Sequence, residues 1–173
     1  MLVILTTLSI KGLILYFKTP ENYPFIFSLS VLWLINASTH LLTYRKFRAQ
    51  NPYKTQFASW EKEGEIYCWF GIKIFRKVIF YSPFVLMSLG LRVWSGRGDF
   101  ERILRQINMA EGSHKLSAIF TVIVVIILFF AGYITESIYL FAGIILFHAY
   151  PVMLQRWNRG RILKLRNHNT LLK

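Results

Sequence analysis

The chain has 173 residues, 54% of them hydrophobic, and carries 21 Lys and Arg against 8 Asp and Glu, a formal charge of +13. Long uncharged runs alternate with dense basic ones, which argues against a water-soluble enzyme and for a small polytopic membrane protein of one domain. The one cysteine, Cys68, excludes an intrachain disulfide framework and a thiolate metal cluster.

Leu2 to Phe17 is apolar apart from Lys11. It has no charged leader and no small-residue cleavage site before Lys18, so it reads as a retained, marginal helix and not a signal peptide. Tyr23 to Tyr44 is an uncharged run of 22 residues, long enough to cross the roughly 30 Å hydrocarbon layer as a helix. The next stretch interleaves Trp60, Tyr67, Trp69, Phe70 and Phe75 with Lys and Arg, a composition suited to lying on a membrane surface. Val78 to Leu91 spans 14 residues and contains Pro83 and Gly90. It falls short of a crossing and is expected to be re-entrant or interfacial. Gly96 and Gly98 then mark a turn, and Asp99 is a candidate N-cap for a helix with Phe100, Ile103, Leu104 and Ile107 on one face. Leu116 to Phe130 and Ser137 to Leu154, joined by a turn at Tyr133 to Glu136, are expected to form a helical hairpin across the bilayer.

Charge fixes the expected orientation. Residues 45 to 77 hold eight basic side chains, 92 to 115 five, and the tail from 155 six; only Lys11 and Lys18 lie elsewhere. If Val78 to Leu91 does not cross, all 19 fall on the cytoplasmic side, as the distribution of Lys and Arg around membrane helices demands. The expected fold is therefore all-α: an integral membrane helical bundle of four transmembrane helices plus re-entrant or interfacial helices. It is multi-pass in the cell membrane, with both termini cytoplasmic. Five crossings is the alternative. Within one domain, residues 1–44 would form an N-terminal helix pair, 45–115 cytosolic-interface helices, 116–154 a hairpin and 155–173 a basic tail. Because the basic residues flank apolar segments, anionic lipid headgroups are the expected counter-charge, and nucleic acid is not.

No GxxxxGK, GxGxxG, HExxH or GxSxG sequence occurs, so nucleotide-fold and metal chemistry have no motif to rest on. No metal ligand set and no bound cofactor are expected. What remains is polar residues beside or inside apolar helices, where ionisable groups are costly and mark function. Glu111 and His114 are three apart and share a helical face, so the carboxylate could accept from one imidazole nitrogen while the other takes a proton from a hydroxyl. The plain alternative is a solvated histidine at the interface. Arg156, Arg159 and Arg161 follow Pro151, which is expected to break or kink the helix; their planar forks can hold phosphate or carboxylate. A positive-inside stop signal needs only such charge, whereas Gln155, Trp157 and Asn158 add directional bonding and a stacking surface. His148 stands seven residues before Gln155 and roughly on its face. His40 reads as a helix-to-helix hydrogen bonder, Glu136 as part of the outer turn, and His168 as a solvated tail residue.

Three stretches together resemble the glycosyl-diaponeurosporenoate acyltransferases, small membrane proteins of the last step of staphyloxanthin-type carotenoid synthesis. They are Trp60-Glu61-Lys62-Glu63-Gly64 with the run to Lys77, Ala110-Glu111-Gly112-Ser113-His114, and Tyr150-Pro151 with Gln155-Arg156-Trp157-Asn158-Arg159-Gly160-Arg161. The chain differs in Gly112 and Ser113, in a longer N-terminal portion and in His148. The resemblance implies transfer of a fatty acyl group to a sugar hydroxyl of a glycosylated carotenoid or related glycolipid. It places Glu111 and His114 on the family's acid–imidazole pair and Gln155, Arg156, Asn158, Arg159 and Arg161 on its polar C-terminal motif. In that reading His114 is the base and Glu111 orients it. The arginines hold the phosphates of an acyl-CoA or acyl-carrier thioester donor, and the acceptor is a lipid-linked sugar. The rival from another class is a non-catalytic lipid-binding or scaffold subunit; an isoprenylcysteine-type methyltransferase ranks third, since the tail lacks paired acids.

Overall fold

The computed structural model describes residues 2–19, 23–48, 57–81 and 100–171, and every regular element among them is helical. In chain order these are α1 (Leu2–Lys18), α2 (Pro24–Arg48), a 3-10 segment (Ser59–Cys68), α3 (Ile72–Tyr81), α4 (Phe100–Phe130), α5 (Ile134–Ile144), a π-helical turn (Ile145–Ala149) and α6 (Tyr150–Leu171). They group into two compact units, each assembled from stretches far apart in sequence. The first contains residues 1–44 and 113–149, the second residues 45–112 and 150–173.

The expected interface helix and the first helix of the hairpin are one element. α4 runs unbroken for 31 residues, because nothing between Ile107 and Leu116 is a strong helix stop: Gly112 and Ser113 cost helix propensity without removing a backbone donor. It ends when the Tyr133 N–H bonds back to the Leu128 carbonyl at 2.9 Å, a helix-terminating pattern that puts the turn at residues 131–133 and starts α5 at Ile134. Of the expected re-entrant segment, Val78 to Tyr81 form the end of α3. Residues 82–91, Gly96, Gly98 and the candidate cap Asp99 lie outside the described residues.

Among the described residues, three helical stretches are long and apolar enough to cross a membrane: Pro24–Thr43, Phe100–Phe130 and Ile134–Arg166. α1, with 17 residues, is not among them, so three of the four expected crossings have a helix of the required length and composition. The first unit is also arranged as a lipid-facing structure must be. Its large apolar side chains, among them Leu41, Leu42, Ile123, Ile127, Phe130 and Ile138, point outward. Its interior holds Ser28, Ser30, Thr39, Thr43, Ser117 and Thr121. Small polar residues inside and large apolar ones outside suit helices packed in hydrocarbon, where lipid solvates the apolar face and interhelical hydrogen bonds need protection. This is a membrane protein.

Glu136, expected in the outer turn, lies in the first turn of α5. It is buried, its carboxylate accepts the Tyr16 hydroxyl at 2.7 Å, and its carbonyl accepts the Ser28 hydroxyl at 3.2 Å. A carboxylate in apolar surroundings needs such donors.

The second unit has an apolar core of Tyr67, Ile72, Leu154 and Trp157, flanked by Ile66, Phe75, Ile79, Tyr150 and Met153. A further patch joins Leu104, Ile107 and Ile162. Phe100, Ile103, Leu104 and Ile107 do share a face of α4, which packs against α6 through this patch.

Candidate functional site

In the second unit the sequence Trp60-Glu61-Lys62-Glu63-Gly64 forms a tight left-handed turn. Lys62 and Glu63 have φ of 45° and 57°, and Gly64 has φ of 89°. Left-handed backbone is costly for residues with a Cβ, so the turn is held by its surroundings. Gly64 lies flat against α6, where a Cβ would sit 3.0 Å from the Arg156 carbonyl and from the Trp157 Cα. Four residues on, Gly160 makes room for the Glu63 carbonyl, only 1.8 Å from where its Cβ would stand. Two glycines, one on each side, let the turn dock directly on the helix backbone.

That docking delivers Glu61 to Arg156. The Glu61 carboxylate accepts the Ala58 N–H at 2.8 Å and the Tyr67 hydroxyl at 2.5 Å, and pairs with Arg156. Arg156 also pairs with Glu111 at 2.7 Å. Glu111 takes Arg159 at 2.9 Å on its other oxygen, and Arg159 donates to Asn108. The result is a buried network of two carboxylates and two guanidinium groups. Burial raises the Glu61 carboxyl, but the donors from Arg156, Tyr67 and Ala58 outweigh it and hold the group below the usual carboxylate range. The Tyr67 hydroxyl is pushed up, first by burial and then by the adjoining Glu61.

The sequence-predicted residues therefore divide. Arg156 and Arg159 are buried against carboxylates. Arg161 sits apart, its guanidinium 4.6 Å from the Trp157 ring centroid. Gln155 and Asn158 are half-buried on α6 and contribute no bond to the cluster. Glu111 gives both oxygens to arginines.

His114 belongs to the first unit, where its imidazole lies 6.0 Å, centroid to centroid, from that of His148. The main-chain carbonyl of Phe147 has no α-helical donor four residues ahead, because Pro151 lacks an N–H. Here Pro151 does not end the helix; the chain passes through the π-helical turn containing His148 and resumes as α6. Such turns recur at functional sites. The His148 Nε2 stands 3.4 Å from the Thr121 hydroxyl. One turn away on α4, Ser117 meets Thr39 at 2.5 Å and donates to Asn36 at 3.2 Å. The Nδ1 atoms of both His114 and His148 are buried without a hydrogen-bond partner. His40 is exposed.

Residues 44–168 match the profile of the glycosyl-4,4'-diaponeurosporenoate acyltransferase family. The chain belongs to this family. The matched region holds both the carboxylate–arginine network and the two histidines, and it marks this acyltransferase-family protein as an enzyme of acyl transfer. α1 and most of α2 precede it. No curated protein and no solved structure matches the chain.

Sequence reasoning singled out His148, Glu111 and the arginines, but gave no role to Glu61, Tyr67 or Asn108. A signal was available for Glu61: in a chain with only eight acidic residues, one placed three before a glycine in a basic, aromatic run has to be matched by a cation.

Proposed function

We propose that this chain esterifies a sugar hydroxyl of a glycosylated carotenoid or related glycolipid with a fatty acyl group taken from a thioester, and that His114 is the proton acceptor. The observation that carries this reading is the pair of imidazoles in a seam of hydroxyls, each with an unsatisfied Nδ1. Buried polar atoms without partners are rare and call for an explanation, and an imidazole within reach of a substrate hydroxyl is the commonest general base.

In the reaction, the sugar oxygen attacks the thioester carbonyl carbon as His114 removes its proton. The tetrahedral intermediate collapses with cleavage of the C–S bond, and the imidazolium returns the proton to the departing thiolate. His148, bonded to Thr121, positions the acceptor hydroxyl. The carboxylate–arginine network is the framework that fixes α6 to the 3-10 segment and α4. The protein crosses the membrane four times with both termini in the cytoplasm, where basic residues flank the spans and the thioester donor is available.

The test uses full-length protein in lipid nanodiscs with a glycosylated carotenoid acid and an acyl thioester, the acylated product being measured by mass spectrometry. His114→Ala is expected to lose about 100- to 10,000-fold in turnover, the span of general-base contributions. Unchanged turnover in that variant removes the assignment.

A further inference from the structure

The second unit carries an open groove of about 930 Å³ distinct from the buried network. Its walls bring Lys73, Arg76 and Lys77 from α3 to Arg161 and Lys164 from α6, against Glu63 and Glu65. The five basic and two acidic side chains leave a net +3 on the lining. Lys164 engages both carboxylates, Glu65 at 2.5 Å and Glu63 at 3.6 Å, so the acidic charge is gathered at one rim. Lys73, Arg76 and Lys77 stand at i, i+3 and i+4, one above another on a single helical face, and Arg161 faces them across the groove. Four cations converging on one space repel one another, and an anion of several charges relieves that repulsion.

The aromatic lining narrows the class of anion. Trp157 forms the floor, with the guanidinium groups of Arg76 and Arg161 5.7 and 4.6 Å from its ring. Trp69 lines the same groove and is 90% exposed, a flat indole with one face open. A lipid headgroup or the phosphopantetheine arm of a carrier protein brings a phosphate but no ring. A nucleotide brings both, and bases stack on exposed aromatic side chains.

We infer that this groove binds the 3′-phosphoadenosine diphosphate head of a coenzyme A thioester, phosphates on Lys73, Arg76, Lys77 and Arg161 and adenine on Trp69. The inference rests on the thioester donor proposed above and names which kind it is. It also moves phosphate recognition from Arg156 and Arg159, which are buried against carboxylates, to side chains that line open space.

The experiment is equilibrium dialysis of adenosine 3′,5′-bisphosphate against the full-length protein in phosphatidylcholine nanodiscs. Saturable binding is expected. It should weaken at least tenfold in the Lys73→Ala/Lys77→Ala double variant and at least fivefold in Trp69→Ala, and adenosine itself should not bind. Equal affinity in the double variant, or no saturable binding in the parent protein, overturns the inference. So does complete loss of nucleotide binding when phosphatidylglycerol replaces phosphatidylcholine, which would make the groove a lipid-headgroup site. The same variants in the acyl-transfer assay separate this inference from the proposed function. Undiminished transfer from acyl-CoA with unchanged KM sinks the groove assignment alone, whereas nucleotide binding without transfer from any thioester sinks the proposed reaction alone.

Discussion

Arg159 and Glu111 form an ion pair at 2.9 Å with the arginine side chain only 1% exposed. Removing one partner of a buried pair strands the other charge in low dielectric, which costs about 3–5 kcal/mol. Arg159→Ala is expected to lower the thermal midpoint sharply in detergent. Glu111→Gln combined with Arg159→Ala should destabilise by less than the sum of the two single changes, because each removes the same interaction. Additive losses would show that the pair is not coupled.

The network also sets an acid limit. Glu61 titrates lower in the folded protein than in the unfolded chain, so its contribution to stability is complete above the ordinary carboxylate pKa of about 4.3. That contribution disappears as pH falls through the depressed folded value. Thermal midpoints measured from pH 7 down to pH 3 should show a gap between the parent protein and Glu61→Gln that holds down to the ordinary carboxylate pKa and narrows below it. A gap independent of pH would mean that the Glu61 charge contributes nothing.

Gly160 leaves no room for a side chain, since its Cβ would lie 1.8 Å from the Glu63 carbonyl. Gly160→Val must lift the left-handed turn off α6, an overpacking cost of about 1–3 kcal/mol. The turn carries Glu61, so the ion pair with Arg156 should loosen as well. The Tyr67 hydroxyl, bonded to Glu61, reports on it: Tyr67→Phe is expected to destabilise the parent protein by about 1.5–3 kcal/mol, as for a hydrogen bond to a charged group. In the Gly160→Val background it should do much less. Equal effects of Tyr67→Phe in both backgrounds would contradict the geometry.

Thr121 is the hydrogen-bond partner of His148. Thr121→Val keeps the shape and removes the hydroxyl, leaving the imidazole free to turn. Under the proposed mechanism kcat should fall by about tenfold, the equivalent of a neutral hydrogen bond of about 1.4 kcal/mol, with little change in KM for the thioester. A change confined to that KM would place His148 in donor binding instead.

Much of this architecture is legible in the residues, and the exceptions have physical causes. The apolar runs at Tyr23 to Tyr44 and after Leu116 correspond to α2 and to the later part of α4, because hydrocarbon imposes a length and composition that a sequence must show directly. The join of α4 across Gly112 and Ser113 was not legible, since weak helix formers are overridden when packing supports the helix. Spacing could place Glu111 and His114 on one face, but not say which neighbour the carboxylate would take. That depended on arginines 45 and 48 residues away and on a turn 50 residues before it. Trp60 to Gly64 could be quoted as a motif without its purpose, because three successive positive φ values, two of them outside glycine, follow from contacts with α6 and not from local preference.

In the buried network Glu61 and Glu111 face Arg156 and Arg159, while Lys73 and Lys77 on the groove wall are exposed. Ionic strength therefore acts on the two unequally: at 1 M salt screening reaches within about 3 Å in water, which shields a solvated cationic wall but does not enter a dry interior. A concentrated salt wash should thus strip anions from this protein and leave its scaffold standing.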